Sequence, residues 1–186
     1  MTMRIAPAIL SLLALSTPAL AAQVDDRAAV ALAKPQELIV DTGLHAATVA
    51  AMLTPVDAFY GFWTNGSQTP LDQAIGPNVT DRTPPPGRRP GPSGPAAAGK
   101  AFLAAVPDLT VMVVQRIVAG DRVVSHLRFT GHFTDRFSGV EGKGQAIEFI
   151  ATDILRVAGG RITDNRHLED NLTFLRQAGL LPKAGD

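Results

Sequence analysis

The chain has 186 residues, and its 17 Lys and Arg balance 17 Asp and Glu, so the formal charge is zero. That balance argues against a nucleic-acid binder, which needs a basic excess to neutralise phosphates, while 46% hydrophobic and only 18% charged residues argue against wholesale disorder. With no Cys, the chain has no disulfide, no thiolate metal site, no iron–sulfur cluster and no Cys nucleophile, and its four His are too scattered for a local metal-ligand motif.

Residues 1–22 read as a secretory signal peptide. Arg4 is their only charge, 5–15 is an apolar run, Pro18 interrupts it, and Ala19-Leu20-Ala21 offers a cleavage site. The run is too short for a comfortable membrane span, so no stable anchor is expected, and the product is expected to be periplasmic or secreted. Residues 23–43 form an N-terminal arm. It is Ala- and charge-rich over 23–34, as a frayed arm or short helix, and carries a β-like run at 37–41 with no assigned place.

The spacing of Val49, Met52, Leu53, Val56, Phe59, Tyr60 and Trp63 predicts a helix over 44–63 with one apolar face. Pro55 should kink it, or start a second helix with Thr54 as cap. Asn65-Gly66 ends it, and 71–75 is expected to be a short helix. Residues 82–95 hold six Pro and three Gly, which excludes helix or central strand and leaves a semi-rigid loop, a lid or a plain connection. A helix is expected over 96–106. Strands follow at 109–119, 122–133, 146–157 and 161–168, with tight turns at Gly120-Asp121 and Gly159-Gly160. A short helix over 169–178 closes the chain before Gly179, and 182–186 is a tail. Helices followed by an antiparallel meander make an α+β domain, with the helices packed on one face of a curved sheet.

Strand parity sorts the side chains further. On 122–133, Val123, Ser125, Leu127, Phe129 and Phe133 share the inner face, leaving His126, Arg128 and His132 outside. On 146–157 the inner face is apolar except for Asp153, a carboxylate that needs a partner or a function there. Arg82, Arg166 or His167 is the expected partner. Phe59, Tyr60, Phe62 and Trp63 would wall any internal space, as core or as a ligand pocket.

Several segments in the same order resemble the SnoaL-like polyketide cyclase (ester cyclase) family. They are FYGFWTNG at 59–66, AVPDL at 105–109, VAGDRVV at 118–124, FTGHFT at 129–134, QAIEF at 145–149 with DILRV at 153–157, and EDNL at 169–172 with LRQAG at 175–179. The resemblance spans about residues 44–181 and implies a nuclear transport factor 2-like cone. It implies ring closure by an intramolecular aldol reaction without metal or cofactor, and a homodimer through the outer face of the sheet. It matches Asp170 to the family's catalytic acid/base, with capping of the last helix as the other role open to that residue. His167, three residues earlier, could orient or protonate a substrate. Two positions where the family commonly carries His hold Arg82 and Phe133 here. The expected binding set is Phe59, Trp63, Phe133, Phe149, Asp153 and Arg166, around a small apolar carbonyl compound. A non-catalytic small-molecule binder is the alternative. Water activation as in limonene-epoxide-hydrolase-like enzymes is a third reading, and it lacks its strand acid because Arg128-Phe129-Thr130 ends in Thr.

Overall fold

The computed structural model describes residues 24–182; the leader expected over 1–22 and the residues after Pro182 lie outside them. Helix α1 (Asp26–Leu32) is capped by Asp25, whose carboxylate accepts the Ala28 N–H. Strand β1 (Glu37–Val40) follows, and then α2 (Ala46–Asn65). Pro55 sits inside α2 without dividing it. Thr54 is not a cap: its hydroxyl donates to the Ala50 carbonyl one turn back. Gly66 ends the helix in the left-handed region, φ 72°, with its N–H on the Phe62 carbonyl.

The middle of α2 is buried on every side, because α1 covers the face that the sheet does not. Gly61 makes that approach possible, since a Cβ there would lie 3.0 Å from the Val30 backbone nitrogen.

Helix α3 (Gln68–Ala74) leads into β2 (Ile75–Asp81), a strand that the sequence pattern hides. Gly76, Pro77 and Asn78 are poor strand formers. They are tolerated because β2 is an edge strand whose pairing with its neighbour is interrupted between Ile75 and Thr80. The Pro-rich loop then runs to α4 (Ser93–Ala105).

Strands β3 (Thr110–Ala119), β4 (Arg122–Phe133), β7 (Gln145–Ala158) and β8 (Arg161–Glu169) form the expected antiparallel meander. A small hairpin, β5 (Arg136–Phe137) with β6 (Val140–Glu141), interrupts it. The sheet is wider than the meander and mixed: β1 adds in parallel beside β3, and β2 adds in parallel beside β8. Helix α5 (Asn171–Gln177) packs back against β7.

Two bulges reset the strand parity. In β3 the register slips between Val113 and Gln115, so the inward set is Val111, Val113, Arg116 and Val118. Arg116 is thereby fully buried. Its guanidinium reaches Asp57 of α2 at 2.6 Å, the Ala33 carbonyl at 3.1 Å and the Ser125 hydroxyl at 3.3 Å. Lys34 pairs with the other oxygen of Asp57 from the surface. In β8 an extra residue sits between Ile162 and Asp164, with the same consequence for the residues beyond it. Among the described residues, no helix is long and apolar enough to cross a membrane.

Candidate active site

Between the concave face of the sheet, α2, α4 and α5 lies a cavity of about 460 Å³, within the usual range of small-molecule sites. Its walls are aromatic: Phe59 and Trp63 from α2, Phe129 and Phe149 from the sheet, Phe102 from α4 and Phe174 from α5. Phe129 and Phe149 stack at 4.9 Å, nearly parallel, and Phe102 and Phe174 meet at 5.0 Å. The Pro-rich loop supplies part of the wall through Pro85, Pro86 and Arg88. Its start is pinned to β8: the Thr83 hydroxyl donates to the His167 carbonyl and accepts the His167 N–H.

Polar groups gather at one end. β7 presents Asp153 inward, as alternation predicts. Beyond its bulge, β8 presents Asn165, His167 and Glu169 to the cavity. Asp153 stands directly across from His167 in the ladder, and side chains so paired have Cβ atoms roughly 5 Å apart. Asp153 is 6% exposed. One of its oxygens accepts the Tyr60 hydroxyl at 2.9 Å, and the other faces the Asn165 amide at 3.4 Å. Burial raises its pKa to about 6, against the lowering effects of the Tyr60 hydrogen bond and of His167. Burial, and then the charge of Asp153, push Tyr60 well above the usual phenol range. Tyr60 therefore stays protonated and donates. The Arg116 guanidinium lies over the Tyr60 ring, 5.6 Å from its centre.

His167 lies between two acids. Nε2 is 3.2 Å from Asp81 and Nδ1 is 3.3 Å from Glu169. Burial works against its charge, yet the hydrogen bond to Glu169 and the fields of Glu169, Asp81 and Asp153 prevail, and its pKa lies above the ordinary value. Glu169 shows the reciprocal effect. Burial alone would raise it, but His167 and then Arg88 hold it below the ordinary value. The result is a histidine whose protonated form is favoured, fixed beside a carboxylate of near-neutral pKa, in an apolar chamber.

Of the residues expected to form the site, Phe59, Trp63, Phe149, Asp153 and His167 line the cavity. Three do not. Phe133 is wholly buried in the core at the far end of β4. Arg166 is exposed on the outer face, because the β8 bulge reverses the parity that would carry it inward from Ile162. Asp170 caps α5: its carboxylate accepts the Thr173 N–H at 3.0 Å, and that hydrogen bond holds its pKa below the usual range. Asp170→Ala should lower the thermal midpoint by ~2–4 °C and leave ligand binding in the cavity unchanged. A differential scanning melt and a binding titration check both, and lost binding would return Asp170 to the site.

Sequence reasoning missed Tyr60 as the partner of Asp153, and it missed Asp81, Arg88, Asn165 and Glu169. Asp81 ends the hidden strand β2, and Asn165 and Glu169 depend on the β8 bulge. Alternation at Asp153 was the one local signal for this cluster.

Residues 54–178 match the family described as SnoaL-like polyketide cyclase. Among solved structures, a Bacillus cereus ATCC 10987 protein assigned as a polyketide cyclase is 35% identical, with a TM-score of 0.73 over 80% of this chain and 93% of its own. TsrD from Streptomyces laurentii is 25% identical, with a TM-score of 0.64 over 74% of this chain and 99% of that one. IdmH from Streptomyces antibioticus, also assigned as a polyketide cyclase, is 26% identical, with a TM-score of 0.62 over 69% and 98%. No curated protein matches the sequence. The architecture is the nuclear transport factor 2-like cone, helices on a curved and mostly antiparallel sheet.

Proposed function

The chain belongs to the SnoaL-like polyketide cyclase family, and from that premise we propose that it is an acid–base catalyst acting without a cofactor on a small, largely apolar carbonyl compound. The observation that carries this reading is Asp153: a buried carboxylate with a pKa of about 6, facing an apolar cavity beside His167, whose own pKa is raised. A base poised near the working pH transfers protons most effectively.

Asp153 takes the proton from a carbon next to the substrate carbonyl. The C–H electron pair moves into the C–C bond and the carbonyl oxygen becomes an enolate. His167, with both nitrogens engaged by Asp81 and Glu169, supplies a fixed positive field for that charge in a site of low dielectric. In a ring closure, the enolate carbon attacks a second carbonyl of the same molecule, and the protonated Asp153 returns its proton to the alkoxide. Asp170 takes no part.

Export belongs to the same proposal, on the strength of the leader pattern in residues 1–22. So does pairing of two copies through the outer sheet face, where Ile150, Ile154 and Leu168 are exposed.

The test is α-proton exchange. 2-Tetralone incubated with the protein in deuterated buffer should lose its α-hydrogen NMR signals faster than in buffer alone. The rate should rise with pH through about 6 as Asp153 ionises. It should fall again at a pH above the ordinary His value, as His167 loses its charge. A protein that binds the ketone and leaves its exchange at the buffer rate is a binder, and the catalytic reading fails.

A further inference from the structure

Enolate formation needs a hydrogen-bond donor in contact with the oxygen on which the charge develops. The polar groups around Asp153 are occupied by one another. His167 turns both ring nitrogens to acids, Nε2 to Asp81 and Nδ1 to Glu169. The Tyr60 hydroxyl donates to Asp153, and the Asn165 amide faces the same carboxylate.

Arg88 is different. It lines the cavity from the Pro-rich loop, and its side chain is 16% exposed. Its ion pair with Asp81 is 3.9 Å long, beyond hydrogen-bond reach. Both oxygens of Asp81 are already engaged, Oδ2 by His167 and Oδ1 by the Thr83 N–H. Glu169 feels the charge of Arg88 but is bound first by His167. Among the described residues, then, no acceptor takes a hydrogen bond from this guanidinium, a group with five N–H donors. Nor are its nitrogens sealed in. The sealed, unpaired side-chain atom among the described residues is Asn165 Oδ1.

The chain holds this cation from both sides. Before it, the Thr83 hydroxyl exchanges two hydrogen bonds with the His167 main chain, and the Arg88 N–H closes a turn on the Pro85 carbonyl at 3.1 Å. After it, Gly94 lets the first turn of α4 pack onto the loop. A Cβ on Gly94 would meet the Arg89 carbonyl oxygen and lie 3.3 Å from Arg88 Cγ. A largely buried guanidinium on a pinned stretch of chain loses hydration without return until an acceptor enters the cavity.

We infer that Arg88 is a catalytic residue that donates hydrogen bonds to the substrate carbonyl oxygen and holds the negative charge this oxygen gains. The inference rests on the acid–base function proposed above. The α-proton goes to Asp153, the C–H electron pair becomes the C–C double bond, and the carbonyl π pair moves to oxygen. Arg88 keeps all its own protons, because a guanidinium does not deprotonate in proteins. It binds the neutral carbonyl weakly and the enolate strongly, which is the difference that lowers a barrier.

Arg88→Met keeps the apolar stem and removes every donor. With 2-tetralone, its exchange rate at saturating ketone should fall by about 10²–10³-fold, while KM changes by no more than about tenfold. A second probe, 4-nitrophenol, has no α-proton to exchange and is coloured only as its phenolate, so it stands in for the enolate oxygen. At pH 7, full-length wild-type protein should raise the phenolate colour above that in buffer, and Arg88→Met should not. A third readout needs no variant. In 15N-labelled wild type, the Arg88 guanidinium resonances should shift when 4-nitrophenol is added. Exchange that is unchanged in Arg88→Met, phenolate colour that does not rise with wild type or still rises with the variant, or Arg88 resonances that stay in place overturns the inference. Arg88-dependent phenolate binding with no α-proton exchange by wild type keeps the oxyanion contact and sinks the acid–base reading. Exchange that survives Arg88→Met does the reverse.

Discussion

Asp153→Asn should abolish catalysis and stabilise the fold in the same stroke. Loss of a general base lowers proton-transfer rates by about 10²–10⁴, so α-proton exchange should drop to near the buffer rate. The stability change follows from linkage. The folded-state pKa of Asp153, about 6, lies above its ordinary value of 3.8. The fold therefore favours the protonated acid. That contribution is fully present below the unfolded pKa and is lost as pH rises through about 6. At pH 8 the native protein carries the cost of an ionised buried carboxylate, about 3 kcal/mol for a shift of this size. Asn cannot ionise, and its amide oxygen still accepts the Tyr60 hydroxyl. The variant should thus be more stable than wild type by roughly 3 kcal/mol at pH 8, with a gap that closes toward pH 4. Urea unfolding at the two pH values measures it. A gap independent of pH would mean that Asp153 ionises without penalty, and the base assigned to this site would lose its physical basis. Gain of stability with loss of activity is the signature of a group placed for chemistry rather than for packing.

Asp57→Ala should cause the largest loss of stability of any single change considered, about 3–5 kcal/mol, because it leaves the charge of Arg116 buried without its partner. Arg116 is fully buried and Asp57 is 3% exposed. Lys34 offers no substitute, since it is itself a cation and its side chain is 67% exposed. The paired change Asp57→Leu with Arg116→Met should cost much less, because a buried ion pair replaced by apolar side chains of similar size is often close to neutral. Guanidinium denaturation of the two variants distinguishes a desolvated pair from a well-solvated one, and equal losses would contradict the burial described. The pair also bears on the cavity. Arg116 lies over the ring of Tyr60, and Tyr60 holds Asp153. In the double variant, the pH midpoint of proton exchange should move.

The helices and the four meander strands were legible because each is a local pattern: helical spacing over α2, alternation over β4 and β7, and turns marked by Gly120-Asp121 and Gly159-Gly160. Edge strands β1 and β2 were not. A short parallel strand has no hairpin turn to announce it, and β2 begins with Ile-Gly-Pro-Asn, residues that read as loop until a neighbour supplies the ladder. The site divides along the same line. Alternation alone placed Asp153 on the inner face, and the aromatic spacing of α2 brought Phe59 and Trp63 to one wall. Tyr60 shared that helical face, but nothing local indicated that its hydroxyl would meet Asp153, 93 positions away in the chain.

Neighbouring residues alone carry periodicity and motif order, and these were enough for the α+β class, the family, the apolar faces and the inward carboxylate of β7, Asp153. Tertiary structure decided which polar residues face inward. One extra residue in β3 buries Arg116. Another in β8 turns Asn165, His167 and Glu169 to the cavity and Arg166 to solvent. A bulge inverts the face of every residue beyond it, and whether it forms depends on the strand opposite, which no local window of sequence contains. Asp170 and Asp153 show the outcome. The acid marked by motif became a helix cap, and the acid marked only by parity came to lie beside His167.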